Sequence, residues 1–367
     1  MSVYWNEKTK LLEPYIPGEQ PRDQKFIKLN TNENPYPPSP KVIEAIQKAA
    51  TESLRLYPDP NCTELREIAA SRYGINAEQV FASNSSDEVL AFTFAAFFET
   101  SPCEDVLLFP DITYSFYSVY AALWNIPYKT IPLREDFSID IEPYCGKPGG
   151  IILANPNAPT SIALSIEELK KIAEAAERNK RVLVVDEAYI AFIDKNDTNT
   201  ESFGSILPLI NEFPNLLITR TLSKEASLAG LRVGFAFGSE ELIKGLCRIR
   251  DSFNSYTLDR LALAGAAAAI KEKSYYEEIN RRVIATRRRV SGEMETLGFK
   301  VMPSQTNFLF AAPPKGNARE FYSALRERGI LVRHFNKPKI DKFLRISIGT
   351  DDDMDAFLQV CCEFRGV

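Results

Sequence analysis

Two short runs, Ile151-Ile152-Leu153 and Val182-Leu183-Val184-Val185, are apolar at every position rather than at every second one. A strand that is apolar on both faces is buried on both sides, which is the pattern of a parallel sheet covered by helices. Between them, residues 166–178 carry apolar side chains at helical spacing. The same alternation extends both ways, with strands predicted over 79–82, 105–109, 150–154, 181–185, 216–219 and 233–237 and helices over 87–98 and 116–124. Strand and helix in turn make an α/β domain.

The flanks read differently. Roughly the first 35 residues are rich in proline and asparagine, as in Asn30-Thr31-Asn32-Glu33-Asn34-Pro35, and are expected to form an extended arm. Ser39-Pro40 opens a helix through Ala50, and 64–73 is a second helix. After Gly245 long helices are predicted over 261–273 and 276–297, then strands over 308–310, 331–332 and 344–348, with helices over 318–328 and 354–364. The expected organisation is an arm (1–38), a large domain with a mostly parallel mixed sheet (39–250) and a smaller α+β domain (251–367), with 195–200 a polar surface loop.

A chain of 367 residues suits two domains, and 45% apolar with 25% charged residues is ordinary for a globular protein. No run of apolar residues is long enough to span a membrane. The start, Met1 to Lys8, lacks the build of a signal peptide, so a cytoplasmic protein is expected. Cys62, Cys103, Cys145, Cys247, Cys361 and Cys362 form no paired framework and read as reduced, mostly buried thiols. The net charge is −5, and the basic clusters Arg281-Arg282 and Arg287-Arg288-Arg289 read as a solvated helix face rather than a nucleic-acid site. The single histidine, His334, excludes a two-histidine metal site and reads as a partly exposed strand residue. No metal is expected, and proton chemistry must rest on lysine, tyrosine and carboxylates.

Four segments lie where strands end, the place where open α/β sheets bind ligands. In Thr219-Arg220-Thr221-Leu222-Ser223-Lys224 and the following Ala229-Gly230-Leu231-Arg232-Val233-Gly234, a lysine able to form an imine stands among groups that suit a phosphate. Val185-Asp186-Glu187-Ala188-Tyr189 puts an acid at the end of a buried strand, where it needs a cationic partner such as a pyridinium. Ser83-Asn84-Ser85-Ser86-Asp87-Glu88 has capping-box spacing between Ser85 and Glu88, and a helix start favours phosphate. Asn155-Pro156-Asn157-Ala158-Pro159-Thr160-Ser161 is a proline-fixed turn.

Together these segments resemble the fold type I enzymes that use pyridoxal 5'-phosphate (PLP), and most closely the histidinol-phosphate aminotransferase branch of the class I/II aminotransferases. The resemblance runs from Leu29 to Thr350. It implies that Lys224 carries PLP as a Schiff base and shuttles the substrate proton, and that Asp186 pairs with the ring nitrogen. It implies that Tyr189 and Asn157 bond the ring hydroxyl and Tyr114 stacks on the ring. Ser85, Ser86, Asp87, Thr221, Ser223 and Arg232 are the implied cofactor cradle. Tyr57 would reach the phosphate of a partner subunit in a homodimer. Arg345, Arg333, Tyr15, Asn32 and Asn307 would meet the substrate.

Two positions depart from the family pattern. Ala158 stands where an asparagine is usual, and Ser85 where a glycine is usual, so Ser85 is strained if that position needs a positive φ. The activity implied is transfer of an amino group between histidinol phosphate and 2-oxoglutarate, giving imidazole acetol phosphate and glutamate. An aromatic amino donor and a threonine-phosphate decarboxylase are the alternatives within the branch. A regulatory module that binds PLP without turnover is the alternative outside it, but such modules carry a DNA-binding domain for which there is no room before residue 30.

Overall fold

The computed structural model describes residues 3–21, 26–100, 105–195, 202–314 and 317–366. Cys103 and most of the expected loop at 195–200 lie outside these residues. The arm holds a short helix, Glu7–Leu11, that its composition did not suggest, and a two-residue strand, β1 (Ile27–Lys28).

Seven strands follow: β2 (Val80–Asn84), β3 (Leu107–Pro110), β4 (Tyr128–Ile131), β5 (Gly150–Ala154), β6 (Leu183–Asp186), β7 (Leu216–Thr221) and β8 (Val233–Phe237). They form one sheet in the order β2-β8-β7-β6-β5-β3-β4. Only β8 runs against its neighbours, β2 and β7. Residues of β5, β6 and β7 are buried throughout, as the unbroken apolar runs at 151–153 and 182–185 require of β5 and β6. Helices such as Ser85–Phe97, Phe116–Trp124 and Ile166–Arg178 cover the two faces. This is the expected α/β sheet, mixed and mostly parallel.

The C-terminal part adds β9 (Lys300–Val301), β10 (Phe308–Ala312), β11 (Ile330–Leu331), β12 (Arg333–His334) and β13 (Leu344–Ser347). Four of them make an antiparallel sheet in the order β12-β13-β10-β9. β11 instead pairs in parallel with β1, so the arm is tied to the C-terminal part of the chain. A 24-residue helix, Lys273–Thr296, runs between the two sheets in sequence.

Several expectations need correction. β4 and β9 were not foreseen, because both are short and largely exposed. The helix Glu240–Phe253 was not foreseen, and it carries Gly245 in its interior. That glycine is a packing device: a Cβ there would lie 2.9 Å from the ring of Phe97, so the helix approaches its neighbour closely. The basic cluster is not wholly solvated, since Arg287 is buried and donates to the carbonyls of Phe192 and Thr306. Of the described cysteines, Cys62 and Cys361 are buried while Cys145, Cys247 and Cys362 are half-buried. The Ser85–Glu88 capping box does not form. The helix begins at Ser85 itself, and Glu88 accepts from Asn84 N at 2.8 Å and from the Ser83 hydroxyl.

Candidate active site

β2, β3, β5, β6 and β7 all point their carboxyl ends the same way, and a pocket opens there against the arm and the antiparallel sheet. Each strand delivers a different group to it. After β2 the chain turns into a helix whose first residue, Ser85, has φ 65°. The tight passage is enforced by Gly234 on β8, where a Cβ would sit 2.2 Å from Ser86 N. Ser86 and Asp87 therefore lie on the pocket at a helix start, whose first N–H groups have no helical acceptor.

Thr221 ends β7, and its hydroxyl lies 2.9 Å from that of Ser223; both line the pocket. Arg232, at φ 59°, reaches the same corner and pairs with Asp87 at 2.8 Å. Two hydroxyls, a helix N-terminus and a guanidinium meeting at one corner make an anion cradle.

At the end of β6, Asp186 lines the pocket while nearly all its surface is buried. Burial pushes its pKa up to about 6; bonds from the Tyr117 hydroxyl (3.1 Å) and Ala188 N (3.2 Å) oppose the rise. A carboxylate in this setting calls for a cation.

Lys224 follows β7 on a single turn of helix, Leu222–Glu225. Its Nζ donates to the carbonyl of Thr31 at 3.0 Å. Burial, and after it the charge of Arg345, lower its pKa to about 8. A neutral amine is the nucleophile toward an aldehyde, and below pH 8 the lone pair is held by a proton. The rate at which cofactor-free protein captures an aldehyde is thus expected to rise with pH and level off above about 8, rather than near the value of an ordinary lysine. Stopped-flow absorbance after mixing with PLP across pH 6 to 10 checks this.

Tyr189 and Tyr114 bring phenols to the pocket, with the Tyr114 hydroxyl donating to Asp87 at 2.8 Å. From the far side come Tyr15, Asn32, Arg333 and Arg345. Arg345 Nη2 donates to the carbonyl of Asn30 at 2.9 Å.

The structure brings together most residues singled out in the sequence and separates four from the pocket. Asn157 is buried, its amide donating to Ile112 O and Thr160 Oγ1 (both 2.9 Å) and accepting from Thr113 Oγ1 (2.8 Å). With both amide hydrogens engaged it does not take over for the missing asparagine; Ala158 lines the pocket instead. Ser85 stands behind the lining, where its hydroxyl accepts from Asp87 N at 3.1 Å. Asn307 also lies behind it, donating to the carbonyl of Asn32 at 3.0 Å. Tyr57 is 76% exposed and stacks on Tyr256, away from this chain's pocket.

Sequence reasoning missed Tyr117, which serves Asp186, and the carbonyls of Asn30 and Thr31. Nothing local in the sequence marks them: Tyr117 reads as a core aromatic, and a carbonyl's role depends on what folds against it.

The description "Aminotransferase class I and II" belongs to the family model that matches residues 24–360. The chain belongs to the class I and II aminotransferases. A histidinol-phosphate aminotransferase of Clostridium acetobutylicum is 54% identical over 358 residues, covering 98% of both chains. Another, from Clostridium beijerinckii, is 48% identical over 359 residues, covering 98% of this chain and 96% of that one. Among solved structures, the histidinol-phosphate aminotransferase of Sinorhizobium meliloti in complex with pyridoxal-5'-phosphate has a TM-score of 0.88 at 23% identity. It covers 100% of this chain and 98% of its own, a likeness that speaks to the fold.

The residues of this aminotransferase fit PLP on their own chemistry. The anion cradle suits the phosphate, Asp186 has no cationic partner among the described residues where a ring nitrogen would supply one, and the Lys224 amine lies in the same pocket. Among the described residues the buried Nε of Arg345 has no hydrogen-bond partner. That group suits an anionic substrate.

Proposed function

We propose that this aminotransferase uses PLP held on Lys224 to move the amino group of histidinol phosphate to 2-oxoglutarate, giving imidazole acetol phosphate and glutamate in histidine biosynthesis. The observation that carries the substrate is the 54% identity, over 98% of both chains, to a histidinol-phosphate aminotransferase. The geometry supports the chemistry. Bound PLP supplies an electrophilic carbon for the donor amine and a ring that accepts electrons.

The protein does the rest. Ser86, Thr221, Ser223 and Arg232, with the backbone N–H of Asp87, would hold the phosphate and set the ring's place. Asp186 would keep a proton on the ring nitrogen, Tyr114 would stack on the ring, and Tyr189 would bond the ring hydroxyl. Lys224 Nζ would take the proton from the donor's α-carbon, hold it as an ammonium and give it up again to complete the transfer. Arg345 and Arg333, with Tyr15 and Asn32, orient the anionic end of each substrate. Asn307 acts one layer back, through Asn32. Residues 39–250 serve as the cofactor domain, and the arm (1–38) works with the C-terminal domain (251–367), consistent with the β1–β11 pairing.

The protein works as a homodimer in the cytoplasm in this reading, with exposed Tyr57 reaching the partner's cofactor phosphate. Among the described residues no helix is long and apolar enough to cross a membrane.

The test is a panel of phosphorylated and aromatic amines with 2-oxoglutarate as acceptor, following glutamate formed and carbon dioxide released. Histidinol phosphate should give the highest kcat/KM, without carbon dioxide. A preference for an aromatic amino acid, or release of carbon dioxide from a phosphorylated donor, would replace the substrate assignment. Bound PLP with no turnover on any donor would replace the activity.

A further inference from the structure

Tyr189 borders the pocket with one side of its hydroxyl engaged. Asn32 Nδ2 donates to it at 2.9 Å, and among the described residues that oxygen has no other hydrogen-bond partner. A phenol has a single hydrogen to give. Because the hydroxyl accepts from Asn32, its own hydrogen is free to point into the pocket. Burial raises the Tyr189 pKa, so that hydrogen is present at neutral pH.

The direction depends on which way the Asn32 amide is turned, and Ser347 on β13 settles that. Ser347 Oγ accepts from Asn32 N at 2.8 Å and donates to Asn32 Oδ1 at 2.9 Å. Ser347 is buried, and its hydroxyl makes no other hydrogen bond among the described residues. With the amide turned over, the serine hydrogen would lose its acceptor in a buried place, an unfavourable state. It would also point an amide oxygen at Tyr189 and draw the phenol's hydrogen away from the pocket. Asn32 itself stands at φ 55°, held by Asn307 Nδ2 on its carbonyl at 3.0 Å. The arrangement matters here because Ala158 offers no donor and the Asn157 amide is spent elsewhere, which leaves Tyr189 to supply the hydrogen.

We propose that Ser347 is a positioning residue: through the Asn32 amide it aims the Tyr189 hydroxyl hydrogen into the pocket, at the ring oxygen of bound PLP. The inference rests on the PLP reading above.

The experiment compares wild type, Ser347→Ala, Tyr189→Phe and the double variant, each loaded with PLP. Two quantities are read: kcat and donor KM, and the pH midpoint of the visible absorbance change of the loaded protein. Ser347→Ala is expected to lower kcat by roughly tenfold, the scale of one hydrogen bond to a charged group, with donor KM within about twofold. Its pH midpoint should move upward, as should that of Tyr189→Phe, because a lost donor leaves the ring oxygen more basic. In the Tyr189→Phe background, Ser347→Ala should change neither quantity, since its route to the pocket is gone.

An equal loss in both backgrounds would make Ser347 merely structural, and no loss in either would remove its role. Asn32→Asp gives a second reading should Ser347→Ala fold poorly. Its carboxylate accepts from the phenol, so this near-isosteric change should move the midpoint as Tyr189→Phe does; an unmoved midpoint would overturn the proposal. A wild type that takes up no PLP sinks the functional reading and this inference with it. A loaded, active wild type matched in every readout by Ser347→Ala sinks this inference alone.

Discussion

Replacing Lys224 with alanine is expected to lower kcat by about 10⁴-fold, the upper end of what one positioned acid–base group contributes. The loss is large because the other candidates are committed elsewhere: Asp87 to Arg232 and Tyr114, and Asp186, in the proposed function, to the ring nitrogen. The one histidine, His334, is engaged with the carbonyl of Asp341 at 2.8 Å and does not line the pocket. Tyr114 and Tyr189 are held well protonated by burial, so neither is a base near neutral pH. Glutamate formation from histidinol phosphate and 2-oxoglutarate measures the rate. Borohydride fixation followed by peptide mapping should place the cofactor on Lys224 in wild type and on no residue in the variant. A variant retaining a tenth of wild-type turnover would remove Lys224 from its role.

Asp186→Asn is expected to cost on the order of 10²–10³-fold in kcat, comparable to losing one preorganised charged partner in a buried site. An amide is close in shape but cannot hold a proton on the ring nitrogen. The same substitution should act with opposite signs on stability in the two states of the protein. In the cofactor-free protein the folded-state pKa of Asp186, about 6, lies above its ordinary value. A raised carboxylate pKa means that folding disfavours the charged form, so the native state loses stability as pH rises toward 6 and stays weakened above it. Cofactor-free Asp186→Asn should therefore melt a few degrees above wild type at pH 7.5, and the gap should close as pH falls from 6 toward 4. With PLP bound the carboxylate has its cation, and wild type should melt higher. Calorimetric melting of both proteins, with and without PLP, reads both signs; an equal shift in the two states would deny the pairing.

The covered sheet was legible because burial on both faces leaves an unbroken apolar run, and a run such as 182–185 has no other comfortable place. Lys224, Asp186, Tyr189 and Arg232 were legible because each lies within a few residues of a strand end, so local chemistry and sheet geometry point to the same spot. The helix around Gly245 was not foreseen, since glycine weakens the helical signal of a sequence while here it lets the helix approach Phe97 closely. Asn157 was misassigned because the turn orients its amide toward Ile112 and Thr160, and a turn sequence does not say which way its side chains face.

The sequence by itself determined which groups stand beside strand ends: a lysine, an acid and two separate segments suited to a phosphate, each marked by residues near in the chain. Tertiary structure alone decided what surrounds them. Tyr117 under Asp186, the Thr31 carbonyl on Lys224 and Ser347 behind Asn32 join residues 69, 193 and 315 positions apart. Hydrogen-bond direction and desolvation depend on which groups meet in space. Tyr117 and Asp186 meet where a helix packs on the large sheet, and the other two pairs meet only where the arm lies against Lys224 and β13.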